Sequence, residues 1–380
     1  VMEKDYYGSL LGGLFFAFIG LPYLGLTYTP FLLGTINLIV AVLLFFNFSD
    51  RLDGRLKKWL LGAIVTISLS IGLGVYFAKP IIMFGEQSRY SDKVVFSEQT
   101  KYQKITLTKS KHNYILYLNN SMQLNTMDEW LYHEPLVHAP MLLNSGKKNI
   151  LILGGGDGCA IREVLKYQEV ESIKIIDLDP GMTNFGAQNP IFKELNRGAY
   201  QNSKVTVQNG DAFIALEEDS NYYDLIIIDF PDPRSIELSR LYTKEMYRFC
   251  KKRLKRDGVV ITQATSPYYQ AKSFYCINKT MQAAGLNTLQ IHNHVQSFGE
   301  WGWVIGSQLY DKNQMIEKLS SVKELPVKNT KWLNKDALQM MCKFGKTVGD
   351  TSGIEVNSIH NPVLFKYYIK GTAFNQSFYD

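Results

Sequence analysis

Acidic residues recur after short apolar runs in this chain, and their spacing is the first feature that bears on chemistry. Asp157 lies inside Gly154-Gly-Gly-Asp157-Gly158, after the run at 150–153. Asp177 and Asp179 follow 173–176, Asp211 follows 205–208, and Asp229 and Asp232 follow 225–228. Glycines at the first position let the backbone pass close to a ligand, and the segment from Cys159 onward reads as a helix presenting its free N–H groups. This is nucleotide-binding geometry. Asp157 would repel a pyrophosphate there, so the ligand facing the loop is expected to carry a positive charge. An acid about 20 residues beyond such a loop is placed for a ribose hydroxyl pair, and Asp177 fits. Asp211 is a candidate acceptor for an adenine amino group. Asp157, Asp229 and Asp232 are more carboxylate than a nucleoside requires. Crowded like charges raise one another's pKa unless cations offset them. A cationic substrate, a polyamine or a sulfonium, is the simplest balance.

The elements that must position these acids follow from periodicity. The runs at 150–153, 173–176, 205–208, 225–228 and 259–262 alternate with helical patterns, the signature of a doubly wound parallel sheet with ligands at the carboxyl ends of its strands. Two further strands, at 288–291 and 303–306, lie close together near its end. Such a final antiparallel pair marks an α/β, class I methyltransferase-like (Rossmann-like) sheet of seven strands rather than a dinucleotide-binding one. Upstream, short alternating strands at 93–96, 103–108, 114–118 and 121–123 predict a small antiparallel β domain. Asn119-Asn120 is its two-residue hairpin turn. A helix is expected over 128–142, with Asp128 and Glu129 in its first turn. Residues 361–368 read as a further strand or as a segment packed back on the core.

The chain begins differently. Runs at 10–26, 31–48 and 59–77 are nearly free of charge, and each approaches the roughly 20 residues needed to cross a bilayer. Gly20-Leu-Pro22 predicts a kink in the first. Gly8 and Gly12 have the spacing of a close-packing helix face, and Asn37 in the second run reads as a helix–helix hydrogen bond. We expect transmembrane helices anchoring the chain in a lipid bilayer, without signal-peptide features; the first run stands so near Val1 that upstream helices remain open. The expected division is 1–84 anchor, 85–127 β domain, 128–380 catalytic domain. Arg51, Arg55, Lys57 and Lys58 favour a cytoplasmic second linker, which would leave the rest outside after three crossings. Lys79, Arg89 and Lys93 weaken that bias. A net charge of +6 without a basic block argues against nucleic acid as a partner. The four cysteines form no CxxC pair and read as reduced packing residues. His133 with His138, and His292 with His294, lack common zinc spacings, so no metal is expected.

Together these motifs resemble the polyamine aminopropyltransferases, the spermidine synthases, and within them a membrane-bound bacterial branch. The resemblance rests on Gly-Gly-Gly-Asp157-Gly with Arg162-Glu163-Val-Leu-Lys, on Tyr132-His133-Glu134, on Gln123, and on Tyr223-Asp-Leu-Ile-Ile-Ile-Asp229-x-x-Asp232-Pro233. Phe298-Gly-Glu-Trp-Gly-Trp303 and Gln263-Ala-Thr-Ser-Pro-Tyr268 look similar to that branch too. It covers roughly 85–310, and the helices before it. What it implies is transfer of an aminopropyl group from decarboxylated S-adenosylmethionine, a co-substrate rather than a tightly bound cofactor, to an amine, usually putrescine, leaving methylthioadenosine. On this sequence Asp177 would hold the ribose, Asp211 the adenine, and Gln103 would face the nucleoside, with Gly154 in the donor loop. Gln123, His133 and Asp157 would take the aminopropyl chain. Asp229 would be the acid–base residue, with Tyr132 and Asp232 beside it. Soluble relatives form dimers or tetramers, so a homo-oligomer is a further expectation. Donor and polyamines are cytosolic metabolites, which places the catalytic part in the cytoplasm against the loop charges.

Three departures shape the remaining expectations. Asp177 stands where the family more often has glutamate, Arg234-Ser replaces a Gly-Pro in the lid, and Ala264-Thr265 occupies the place of an acid. Glu300 is therefore expected to hold the distal amine, and Trp301 and Trp303 either wall the acceptor channel or, equally, form an aromatic strand packed in the core. Arg162 and Glu163 read as structural. The physical case stands beside the resemblance. A sulfonium is already an activated leaving group, so in-line placement is what the protein must supply. An acceptor amine with a pKa of about 10.4 arrives protonated, and freeing it at pH 7 costs about 4 to 5 kcal/mol. Asp229 can take that proton. Asp157 disfavours a donor that keeps its carboxylate, which argues against a methyltransferase on the same fold. The other rival is a membrane module that binds polyamines without turnover.

Overall fold

The computed structural model describes residues 2–345 and 353–376. The chain divides into two compact units, one of Val1–Ser97 with Thr108–Ser110 and one of Glu98–Leu107 with Lys111–Asp380. In the first, Tyr6–Leu24, Thr27–Arg51 and Gly54–Gln87 are long and apolar enough to cross a membrane. The first of them ends in a wide π-helical stretch, Phe16–Leu24, which holds Pro22. Gly25 follows with φ +66°. Proline removes a backbone donor, and the irregularity expected at Gly20-Leu-Pro22 takes the form of this wide turn. The third helix is capped by Asp53, whose carboxylate accepts from the Arg55 N–H. It runs well past the apolar stretch seen in the sequence, through Pro80 to Gln87. Gly34 faces Ile71 and Gly74 faces Phe31, where the second and third helices approach. Gly8, Gly12 and Gly13 face nothing within 4 Å, so their spacing serves no packed contact here. Asn37, expected to bond between helices, is exposed.

A small sheet follows, in the order β1 (Lys93–Gln99), β2 (Lys104–Ser110), β3 (Asn113–Leu118), β4 (Ser121–Asn125). β3 and β4 form an antiparallel hairpin. Asn119 and Asn120 turn it with φ of 50° and 66°, the left-handed pair that matches strand twist.

The large sheet carries the site. Its strands are β5 (Asn149–Gly154), β6 (Ser172–Asp177), β7 (Val205–Asn209), β8 (Tyr223–Asp229), β9 (Leu254–Gln263), β10 (Asn287–Val295) and β11 (Gly299–Ser307). The order is β10-β11-β9-β8-β5-β6-β7. β5 to β9 run parallel, and β11 is antiparallel to both of its neighbours. Both faces of the central strands β5 and β8 are covered, which is why these read as unbroken apolar runs, whereas β7 at the edge is largely exposed. Ile150 and Ile152 join one buried cluster, Leu151 and Leu153 the other. The helix Trp130–Leu143 is buried along almost its whole length, packed in the first of these clusters. Register places Gly154 opposite Asp229 and Asp177 opposite Asn209, so the acid-bearing ends form one edge. Beyond an isolated bridge between Ser358 and Asn361, the chain forms a helix, Val363–Gln376. Val363 and Leu364 are buried in the core, so of the two readings of 361–368 the packed-back one holds.

Candidate active site

The glycine loop is held open by its own backbone. Gly154, Gly155 and Gly158 have φ of 81°, 66° and 83°, a region that side chains strain to enter. A Cβ on Gly156 would lie 2.8 Å from Asp177 Oδ2. The loop, the strand ends and the β3–β4 hairpin enclose a cavity of about 720 Å³. Gln103, Gln123, Tyr132, His133, Gly154, Asp157, Asp177, Asp211, Asp229, Asp232 and Trp301 all line it.

On one side lie the acids expected to face a nucleoside. Asp177 accepts the Asp179 N–H at 2.9 Å. Burial, reinforced by the charges of Asp179 and Asp157, raises its carboxyl to about 6 although backbone N–H groups oppose the shift. Asp179 points elsewhere, capping the helix Pro180–Gln188 and accepting from Thr100 Oγ1 at 2.8 Å. Asp211 caps the helix Ala212–Glu218 through the Phe213 N–H, and its second oxygen meets Arg240 Nη2 at 2.6 Å. Arg240 also lies over the Phe213 ring, 4.8 Å from its centroid.

At the centre, the Tyr132 hydroxyl donates to Asp229 Oδ1 at 2.6 Å. Burial raises the Asp229 carboxyl to about 6; the Asp157 charge adds to this, while His133 and the Tyr132 bond work against it. His133 Nε2 is 3.7 Å from Asp157 Oδ1, and Nδ1 is 2.9 Å from Glu129 Oε2. Burial alone would favour the neutral ring, but the Glu129 bond and the charges of Asp157, Glu129 and Asp229 outweigh it and raise His133 to about 9. Burial pushes Glu129 up, yet His133 and Arg162 more than reverse this and hold its carboxyl at about 2. Arg162 grips both Glu129 oxygens at 2.9 Å and bonds Glu163 through Nε at 2.8 Å. Glu163 in turn meets His138 at 2.8 Å. Arg162 and Glu163 thus join a buried network that ends on His133.

On the far side Asp232 is buried, and burial raises its carboxyl despite Arg234, Tyr368 and Gln263. The Gln263 amide donates to the Phe230 carbonyl at 2.9 Å and lies 3.4 Å from Asp232 Oδ1. The Gln263 carbonyl accepts the Thr265 N–H at 3.0 Å. Trp301 stacks edge-on near Tyr132 at 6.3 Å and against Phe298 at 5.3 Å, while Trp303 is fully buried behind them. The two tryptophans thus divide between the wall and the core. Glu300 is not on the wall. It lies against His292 and, at 3.6 Å, His294. Strand alternation accounts for this, since Trp301 next to it points the opposite way.

His133, Asp157 and Asp229 offer ligand atoms within 4.8 Å of one another.

Comparison with known proteins agrees with this geometry. A family model described as the spermine/spermidine synthase domain matches residues 129–318. Over 374 residues, 97% of this chain and 71% of the relative, the sequence is 37% identical to a polyamine aminopropyltransferase of Oceanobacillus iheyensis. The chain belongs to the spermine/spermidine synthase family. A polyamine aminopropyltransferase of Leptospira interrogans is 37% identical over 97% of this chain and 72% of its own length. A spermidine synthase solved in complex with the transition-state analogue AdoDATO superposes with a TM-score of 0.61 and 25% identity, over 66% of this chain and 85% of that one. The Thermotoga maritima spermidine synthase gives 0.60 at 25% identity, over 66% and 84%.

Against that family background, four residues were missed by sequence reasoning. Glu129 was read only as a first-turn acid, although its spacing of four from His133 puts both on one helix face. Gln263 stood in a motif without a role. Arg240 had no signal, and Tyr368 stood only in a segment read as a strand or as packed back on the core, because its bond to Asp232 spans 136 residues of chain.

Proposed function

We infer that this chain transfers the aminopropyl group of decarboxylated S-adenosylmethionine to a diamine such as putrescine, giving a spermidine-type product and methylthioadenosine. The observation that carries the chemistry is the Tyr132–Asp229 pair inside a cavity whose rim also holds Asp157 and Asp232. The amine nitrogen attacks the aminopropyl carbon next to sulfur. The C–S bond breaks, sulfur keeps the electron pair as a neutral thioether, and the nitrogen's proton passes to Asp229. An acid raised by burial is better matched to that proton than an ordinary carboxylate. Tyr132 orients the acceptor oxygen lone pairs without competing for the proton, since its own hydroxyl is held far above its usual range by burial and by Asp229.

Asp177 and Asp211, with Gln103 and the Gly154 loop, take the nucleoside in this reading, and Gln123, His133 and Asp157 the aminopropyl chain. Asp232 and Trp301 face the acceptor. The division into an anchor at 1–84, a β domain at 85–127 and a catalytic domain at 128–380 remains the working one. The three apolar helices sit in a cell membrane, with the catalytic unit on the cytoplasmic side where donor and amines are found. Self-association follows from soluble relatives and is open to sedimentation. The deciding experiment offers the detergent-purified chain both donors with a panel of diamines and triamines. Amine-dependent release of methylthioadenosine supports the reading. Formation of S-adenosylhomocysteine from the ordinary donor, or ligand binding without any product, overturns it.

A further inference from the structure

The helix Val363–Gln376 lies outside residues 129–318, which the family model matches, yet it reaches the acid rim. Its Tyr368 donates a hydrogen bond to Asp232 Oδ2 at 2.8 Å. Among the described residues, the other side chains bonded to that carboxylate are more distant, Gln263 Nε2 at 3.4 Å and Arg234 Nη2 at 3.5 Å. The helix is fixed rather than draped. Asn357, fully buried just before it, donates to the Ser239 and Tyr242 carbonyls at 2.9 and 3.1 Å and takes the Leu364 N–H at 3.3 Å. Val363 and Leu364 are buried in the core beside it.

We propose that Tyr368 is the positioning residue for Asp232, pinning one carboxylate oxygen so that the other is presented to the acceptor amine. A carboxylate can rotate about its side-chain bonds unless its neighbours hold it, and the Tyr368 contact is the shortest side-chain hydrogen bond to Asp232 among the described residues. The hydroxyl also offsets part of the burial that disfavours the charged form of Asp232. Recognition of the amine is thereby shared with a segment outside the matched domain. This rests on the reading of Asp232 as an acceptor-binding acid.

The test is steady-state kinetics of the full chain with Tyr368→Phe, Asp232→Asn and the double variant, varying donor and amine separately. Phenylalanine keeps the ring and removes only the hydroxyl. Tyr368→Phe should raise KM for the amine roughly three- to tenfold, the size of one net hydrogen bond, with kcat and donor KM within about twofold. Added to Asp232→Asn it should change little, because its target is already gone. A variant that matches wild type, or one in which donor KM, kcat and thermal midpoint all shift together, overturns the proposal. If Asp232→Asn itself leaves the amine KM unchanged, the acceptor reading beneath it fails instead.

Discussion

Replacing Asp229 with asparagine tests the chemical step most directly. The amide keeps the shape and still accepts the Tyr132 hydrogen bond seen at 2.6 Å, so the site stays assembled while its base is removed. An amine of pKa about 10.4 facing an ordinary carboxylate near 3.9 is mismatched by about 6.5 pKa units. With Asp229 raised to about 6, the mismatch shrinks to about 4.4 units, a saving of roughly 3 kcal/mol. General-base catalysis is ordinarily about 10²- to 10⁴-fold in rate, and the loss in kcat should fall in that range, with donor KM nearly unchanged. The pH profile is the sharper signature. Wild type should lose activity as pH falls through about 6, where the raised carboxyl becomes protonated. The variant has no such limb. Its rate should climb about tenfold per pH unit toward pH 10, as solvent rather than protein frees the amine. Methylthioadenosine release, followed by chromatography at saturating donor, reads both. A loss below tenfold at pH 7, or a variant profile that stays flat above it, would show that Asp229 does not accept the proton.

Two further substitutions probe what surrounds the chemistry. Glu129→Gln leaves Arg162 and His133 buried beside a neutral group, and should cost roughly 3 to 5 kcal/mol of stability. The pH dependence has a definite sign. Glu129, held at about 2, contributes above its ordinary pKa and loses that contribution as pH falls through about 2; His133, held at about 9, contributes below its ordinary pKa and is lost as pH rises through about 9. Thermal midpoints across that window should show a broad plateau in wild type that the variant lacks, and equal midpoints would sink the argument. Gly156→Ala sets a methyl 2.8 Å from both Asp177 Oδ2 and Met182 Cγ. Donor KM should rise roughly tenfold or more with amine KM held, and an unchanged donor KM would refute the placement of Asp177.

Much of this was legible because strand and turn signals are local. Four of the five parallel strands lead into an acid, β9 ending instead in Gln263, so the rim at Asp157, Asp177, Asp211 and Asp229 followed once the sheet was recognised. The turn at Asn119-Asn120 and the helix irregularity around Pro22 were readable for the same reason. Glu300 was misplaced because a motif says nothing about which face of β11 a residue takes, and the period of two sent Trp301 to the cavity and Glu300 to His292. The grip of Arg162 on Glu129 was not readable, since 33 residues separate them. The third membrane-length helix was longer than its apolar core, because Lys79 and Pro80 interrupt hydropathy without ending the helix.

The wall of the cavity is drawn from segments as far apart as Gln103 and Trp301, and Tyr368 braces it from further still. A ligand lodged there therefore ties early and late parts of the polypeptide to one another. Occupancy should slow the opening of every segment it bridges, since whatever binds only the folded form stabilises it by mass action. Proteases that trim the last helix should blunt turnover at low amine well before the sheet gives way.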